Sequence, residues 1–237
     1  MINQLIKSTF PEYEITLPRS KQRVKFRPMT VKEEKVLLLA QHQKQKNQLY
    51  LSIKNILQSC YEGLKNIESL EIIDIEKAFL HLRSKSIEEN FKFGIVCPYT
   101  EEKIVLKTSI DNFKEIFSEK ENNKIKLNDK ISLILKSPTF SYLLNTTEEE
   151  DQEKELFYHC FHELQTEDNS YNKENTTKNE ILEFFDYLTK KQYQEIVKFF
   201  NNIPRIENEL KYFTSDGVER KIVIKGLDSF FELASAI

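Results

Sequence analysis

The chain has 237 residues, of which 39% are hydrophobic and 31% charged, a balance typical of a globular protein rather than a disordered one. Its net charge of −3 is unevenly spread, because residues 1–110 hold 18 Lys/Arg against 13 Asp/Glu and the remainder holds 17 against 25. The presence of only four Gly argues against a glycine-built phosphate loop. The three scattered Cys indicate a reducing compartment, and no apolar run suits a membrane span or a signal peptide. We therefore expect a cytoplasmic protein.

The first predicted element is a β-hairpin over residues 12–27. Basic and apolar side chains alternate along its second strand, so Val24 and Phe26 are expected to face a core while the cations face solvent. Five cations lie within nine residues of this hairpin: Arg19, Lys21, Arg23, Lys25 and Arg27. They are candidate partner-binding residues. Phosphate tracking by a nucleic-acid-binding module is the alternative, but the negative net charge and the inward-facing aromatic ring favour a protein-docking surface or a solvated edge.

Helical patterns follow this hairpin. Pro28 ends the strand, and Thr30 is a candidate N-cap for a helix over 31–44, which a second helix over 48–63 follows. After a loop at 66–69, Asp74 is a candidate N-cap of a third helix. The apolar face of this third helix has helical spacing and consists of Ile75, Ala78, Phe79 and Leu82.

The second part of the chain repeats this order. Residues 123–148 again read as a hairpin, then Ser137-Pro138-Thr139, then a helix, and residues 192–212 match 75–93 as an amphipathic helix that runs into a strand. Thr189 and Gln192 form a capping box at the start of that helix, and Pro204 marks its end.

We therefore predict an α+β fold built from two pseudo-repeated halves, 1–120 and 121–237. Each half would contain a β-hairpin, helices, a second β-hairpin and a short helix. The second half would carry an exposed loop near 165–180, because that segment contains one aromatic and no aliphatic residue. The two halves would either share one core or form two domains.

Few residues suggest chemistry. His159 and His162 would share a helical face and are the candidate metal ligands, yet no nearby His or Cys supplies the third and fourth ligands. Cys97 lies in a turn without a second cysteine at Thr100. No hydrolase elbow, Walker-type loop or dinucleotide motif occurs. We expect a protein that is not an enzyme, has no catalytic residue, metal or cofactor, and binds no small molecule.

Four motifs occur along the chain: a leucine–proline turn, a basic strand, a Lys-Glu-Glu-Lys helix and an Arg-x-Lys-Ser turn. They are at Leu17, Pro18, Lys25, Phe26, Arg27, Pro28, Lys32, Glu33, Glu34, Lys35, Leu82, Arg83, Lys85 and Ser86. In these motifs the chain resembles the T4-like phage baseplate hub proteins, and the resemblance extends over nearly its whole length. Members of this family often have Cys-x-x-Cys pairs in the two later hairpins; this chain keeps only Cys97, which implies a degenerate zinc-ribbon-like hairpin.

The resemblance implies a structural subunit of the baseplate hub that binds other phage baseplate or tail proteins. The alternative within the family is an assembly chaperone of the hub that is absent from the mature virion. The first role places the protein in the virion tail baseplate, and the second places it in the host cytoplasm during assembly.

Overall fold

Helices and antiparallel strands are mixed along the chain, so the predicted α+β class is confirmed. The structure is a computed structural model that describes residues 9–43, 45–87, 90–118, 123–146, 151–227 and 229–230. Among the helices in these residues, none is long and apolar enough to cross a bilayer.

The elements before residue 117 follow the predicted order, with helix ends within a few residues of the predicted ones. They are β1 (Tyr13–Thr16), β2 (Arg23–Phe26), α1 (Val31–His42), α2 (Lys46–Cys60), β3 (Tyr61–Glu62), α3 (Ile72–Ser86), β4 (Asn90–Val96), β5 (Lys103–Ser109) and β6 (Lys114–Ile116). The short helix predicted after β5 is a 3-10 turn at Ile110–Asn112.

The elements after residue 117 begin with one hairpin and end with another. They are β7 (Lys124–Lys126), β8 (Ser132–Leu135), α4 (Phe140–Asn145), α5 (Gln152–Cys160), β9 (Phe161–Gln165), β10 (Ser170–Tyr171), α6 (Lys178–Asp186), α7 (Lys190–Asn201), β11 (Arg205–Phe213) and β12 (Glu219–Lys225). The short helix predicted after the last hairpin lies partly outside the described residues.

The chain divides into two compact units, one formed by Met1–Ile116 with Arg205–Ile237 and the other by Phe117–Pro204. The final hairpin belongs to the first unit because β11 pairs with β6, with Arg205 opposite Ile116. The predicted halves, 1–120 and 121–237, instead assign residues 205–237 to the second half.

Three strands, in the order β1-β2-β3, form the first sheet. Val24 and Phe26 are buried, as the alternation along the strand predicts, and Phe26 stacks on Tyr61 of β3 with ring centroids 4.8 Å apart. Burial of these large rings stabilises the sheet on the face turned away from the cations.

Helix α3 is the central element of the first unit. Its predicted apolar face is fully buried at Ile75, Ala78, Phe79 and Leu82. Phe79 contacts Phe230 edge to face at 6.1 Å, and Phe230 contacts Phe91 at 5.3 Å, so aromatic rings from three segments of the chain meet beside this helix.

Asp74 is not the N-cap of α3, because the helix begins two residues earlier and its N-cap is Glu71. The buried Asp74 carboxylate instead accepts the backbone N–H groups of Arg19 and Ser20, at 2.7 and 2.9 Å. The side chain therefore caps the turn of the first hairpin rather than its own helix. Short-range sequence patterns cannot predict this contact, since its partners are 55 and 54 positions apart.

A second buried acid on the same helix binds the final hairpin. Glu76 accepts the backbone N–H of Ile206 at 3.0 Å, across 130 residues of sequence. Burial raises the pKa of Glu76 to about 8, against the smaller lowering effects of that N–H group and of Arg205. Near neutral pH the protonated carboxyl therefore accepts the hydrogen bond without an uncompensated buried charge.

The second unit has its own sheet, in the order β10-β9-β8-β7, and its own apolar core. Phe157, Leu133, Leu135 and Ile196 are completely buried. The predicted capping box of α7 is confirmed: the Thr189 hydroxyl accepts the Gln192 N–H, while the Gln192 side chain accepts the Thr189 N–H at 2.9 Å. Such caps contribute about 1 kcal/mol each.

Much of the segment predicted as an exposed loop near 165–180 is exposed to solvent. It is nevertheless locally ordered. Strand β10 pairs with β9, the Thr166 N–H donates to the Asn169 carbonyl at 2.8 Å, and a Thr177–Glu180 capping box opens α6. Polar side chains and backbone groups stabilise this segment where apolar burial is missing.

Asp74→Ala is expected to destabilise the protein by about 2–4 kcal/mol, because the backbone N–H groups of Arg19 and Ser20 lose the buried side chain that accepts both of them. Urea unfolding followed by circular dichroism measures this loss. Asp129→Ala is the control: its side chain is 98% exposed, and a change within about 0.5 kcal/mol is expected there. Equal effects of the two substitutions would contradict the anchoring role of Asp74.

Candidate functional site

Arg23 and Lys25, the two cations within strand β2, lie near acids in strand β1 or just before it. Lys25 lies directly opposite Glu14 in the hairpin register, and Arg23 forms an ion pair with the same Glu14. Lys25 is 3.8 Å from Glu12. Both cations are exposed, but the charge that they present to a partner is reduced by the adjacent carboxylates.

Arg27 lies deeper and joins the hairpin to helix α1. Its two terminal nitrogens contact the Glu33 carboxylate at 3.0 and 2.8 Å, and it also donates to the Ser59 carbonyl at 3.2 Å. Burial raises the pKa of Glu33, but hydrogen bonds from Arg27, Ser59 and Thr30 outweigh it and hold that pKa well below its usual range. Arg27 therefore has a structural role as well as its predicted place in a docking surface.

The remaining two cations lie at the turn between β1 and β2. Arg19 forms an ion pair with Glu71 at 2.8 Å, and the Lys21 ammonium donates to the Pro18 carbonyl at 2.6 Å. All five cations of the predicted basic site thus have partners within the chain. Nothing in these contacts identifies an external partner, so the binding role of the site stays a prediction.

The tips of the two later hairpins meet in the first unit. Tyr212 donates to the buried Cys97 sulfur at 3.9 Å, and both Glu102 carboxylate oxygens accept the Ser215 N–H at 3.1 Å. Burial raises the pKa of Cys97, but the adjacent Thr100 hydroxyl, nearby backbone N–H groups and the Tyr212 hydroxyl lower it to about 7.

The family resemblance predicts a zinc-ribbon-like pair of hairpins here, but the residues at these tips do not fit a zinc ion. Cys97 is a single thiol, Thr100 takes the second position of its turn, and the facing turn has Thr214 and Gly217. An ion pair at 2.6 Å between Arg220 and Asp216 braces the facing turn instead. The Thr214 hydroxyl and Arg220 lower the pKa of Asp216 to about 2.

His159 and His162 do not share a helical face, contrary to the prediction. Helix α5 ends at Cys160 and β9 begins at Phe161, so His159 lies in the last helical turn and His162 on a strand. His159 Nε2 accepts the Thr139 N–H at 3.3 Å, and burial followed by the nearby Lys173 charge lowers its pKa to about 4. Within the described residues, no group of three or more His, Cys, Asp or Glu side chains could hold a metal ion.

Sequence reasoning did not identify the carboxylates that pair with the basic hairpin or join the two tips. Glu14 could have been found, since strand alternation places it on the same face as the cations. Glu71 and Glu102 gave no such signal, because their contacts join segments far apart in the sequence.

The model of a protein family described as T4 bacteriophage base plate protein matches residues 10–232. No curated protein and no solved structure is significantly similar to the chain. The family match covers both compact units and thus nearly all of the chain.

The lowered pKa of His159 predicts that the stability of the protein depends on pH. Between its ordinary pKa of 6.5 and its folded value of about 4, the unfolded chain binds a proton that the folded chain does not. Its stabilising contribution is full above pH 6.5 and is lost as the pH falls toward 4. Allowing for partial exposure, the wild type should lose about 1–2 kcal/mol more than His159→Gln over that range.

Urea titrations at the two ends of this pH range measure the difference. The exposed His162 supplies the control, because His162→Gln should follow the wild type closely. Parallel losses in the wild type and His159→Gln would contradict the burial of a neutral imidazole.

Proposed function

Because this chain belongs to the T4 bacteriophage base plate protein family, we propose that it is a structural subunit of the baseplate hub that acts by protein–protein binding and not by catalysis. The family makes it a phage protein of the virion tail baseplate. The proposal adds the hub position and the binding mode. Its partners would be other baseplate or tail proteins.

Helix α1 supports the binding mode. Only Leu37 and Ala40 are buried among its residues, while four large apolar side chains are exposed: Val31 at 69%, Val36 at 43%, Leu38 at 46% and Leu39 at 63%. A helix with apolar residues around most of its circumference is usually covered on more than one side. In a baseplate, the cover would be another baseplate protein.

We also propose that the chain is internally duplicated, as a building block assembled from two similar parts would be. Equivalent backbone hydrogen bonds support this. The Arg27 N–H donates to the Cys60 carbonyl at 3.1 Å, and the Lys136 N–H donates to the Cys160 carbonyl at 2.8 Å. In both places a helix ends at the cysteine, and the next residue begins a strand paired with the second strand of the hairpin.

The later hairpins support the same relationship. Helix α3 leads into the hairpin β4–β5 and helix α7 leads into the hairpin β11–β12. The facing turns at Cys97 and Thr214 would then be the matching tips of a degenerate zinc-ribbon-like pair that has lost its metal ligands.

Two other functions are alternatives to a structural hub subunit. An assembly chaperone would use the same surfaces but would leave before the virion is complete, acting in the host cytoplasm. A nucleic-acid-binding module would depend on the basic hairpin, and the pairing of four of its five cations with carboxylates of the chain weakens that alternative.

Mass spectrometry of intact particles beside assembly intermediates tests the proposal. A structural subunit is expected in the particles in a fixed ratio to the other baseplate proteins. Detection in the intermediates alone would identify an assembly chaperone, and absence from both would overturn a role in the baseplate.

Leu38→Glu/Leu39→Glu is expected to reduce co-purification with baseplate proteins at least about tenfold, because buried apolar anchors dominate interface energetics. The folded state should persist, since both side chains are exposed in the free chain. Lys32→Glu/Lys35→Glu on the same helix is the matched control for added negative charge. Equal losses in the two variants would contradict an apolar contact at α1.

The same assay examines the basic hairpin through Arg23→Glu/Lys25→Glu. Unchanged co-purification of this variant would remove strand β2 from the interface and leave helix α1 as the candidate.

A further inference from the structure

The outward surface of the hairpin β4–β5 combines unpaired lysines with exposed valines. Lys92, Lys103 and Lys107 are exposed, Val96 is 61% exposed and Val105 is 56% exposed. These five side chains define the lysine face. They alternate with the buried side chains of the same strands, including Phe91, Phe93 and Leu106, so the hairpin has one core side and one free side.

Two of the lysines oppose each other directly. Lys92 is the register partner of Lys107, and like charges in that position destabilise an antiparallel pair. None of the three lysines forms an ion pair with a carboxylate in the part of the chain that the structure describes. The hairpin thus keeps an unfavourable charge pair on its surface with no counter-charge of its own.

The last hairpin, β11–β12, also has two lysines directly opposite each other, but there both are paired with acids. Lys211 lies opposite Lys221, but Glu219 pairs with Lys211 at 3.0 Å and Glu209 pairs with Lys221 at 2.9 Å. The acids that stabilise a lysine pair are therefore present in one hairpin, whereas no described residue supplies them in the other. Within the described residues, the lysine pair of β4–β5 therefore lacks the neutralising acids that the last hairpin has.

We propose that the lysine face binds an acidic segment of another baseplate protein, one in which carboxylates alternate with apolar side chains. The inference rests on the proposed function and specifies the surface and the chemistry of the partner. Carboxylates of the segment would pair with the three lysines while its apolar side chains cover Val96 and Val105.

A protein segment fits this face better than a nucleic acid. The exposed apolar residues on it are aliphatic, so the face offers valines where base stacking would use aromatic rings. Val105 lies between Lys103 and Lys107 on this face, and Val96 lies directly opposite Lys103, so lysine and valine alternate in a way that matches an extended peptide whose side chains alternate in chemistry.

Site-specific photo-cross-linking during infection tests the inference with the full chain. Val105→p-benzoylphenylalanine places the photoreactive group within the lysine face, and cross-linked peptides are identified by mass spectrometry. Val223→p-benzoylphenylalanine is the matched control, because Val223 is 40% exposed in the hairpin whose lysines are paired. The expected product joins position 105 to an Asp/Glu-rich segment of another baseplate protein and is weak or missing at position 223.

The contribution of the lysines is tested in the same cross-linking strain. Lys92→Thr/Lys107→Thr should lower the yield about fivefold or more, since two charge pairs with the segment are lost. The midpoint temperature of this variant should stay the same or rise, because the repulsive pair is removed and threonine suits a strand. Lys211→Thr/Lys221→Thr, the matched control, should leave the yield at position 105 unchanged.

Several results would overturn the inference: a cross-link to nucleic acid, to a second copy of this chain or to a segment without excess acid, or no cross-link at position 105. Co-purification of the unsubstituted chain with baseplate proteins separates this failure from that of the proposed function. If co-purification persists while position 105 gives no acidic peptide, the lysine face is wrong and the binding role stands. If no baseplate protein co-purifies, the proposed function itself fails.

Discussion

Two buried carboxyl groups on helix α3 set the arrangement of the first unit. Asp74 binds the backbone of the first hairpin turn, and Glu76 binds the backbone of Ile206 near the start of strand β11. Apolar packing is not directional, whereas a buried carboxyl group without a hydrogen-bond donor is costly, so these bonds favour one placement of each hairpin against the helix. The aromatic rings of Phe79, Phe91 and Phe230 pack together beside the same helix, α3.

The three hairpins of the first unit handle surface charge in different ways. In β1–β2 the cations are paired with acids on the adjacent strand or on a following helix. In β11–β12 two lysines that face each other are both compensated by glutamates of the same hairpin. In β4–β5 a similar lysine pair has no compensating acid among the described residues. The exposed lysines of β4–β5 therefore keep their charge available to a partner. Most cations of the more basic segment at 19–27 are instead paired with acids of the chain.

The perturbed titratable groups also have structural explanations. Glu33 forms an ion pair with Arg27, His159 accepts a hydrogen bond from Thr139, and Glu76 binds the backbone of Ile206. Shifted pKa values can mark catalytic groups, but ion pairs and burial produce the same shifts. Because each of these three groups has a partner within the fold, local contacts and burial account for their shifts.

The sequence by itself determined the local elements: the alternation along β2, the apolar face of α3 and the capping box of α7 all depend on residues within a few positions of one another. It also determined the family, through motifs that extend along most of the chain. Only the tertiary structure decided that Asp74 caps a hairpin, that His159 and His162 lie on different elements and that the last hairpin joins the first unit. The physical reason is distance along the chain, because a contact such as that between Glu76 and Ile206 spans 130 residues and leaves no periodic signal in either segment.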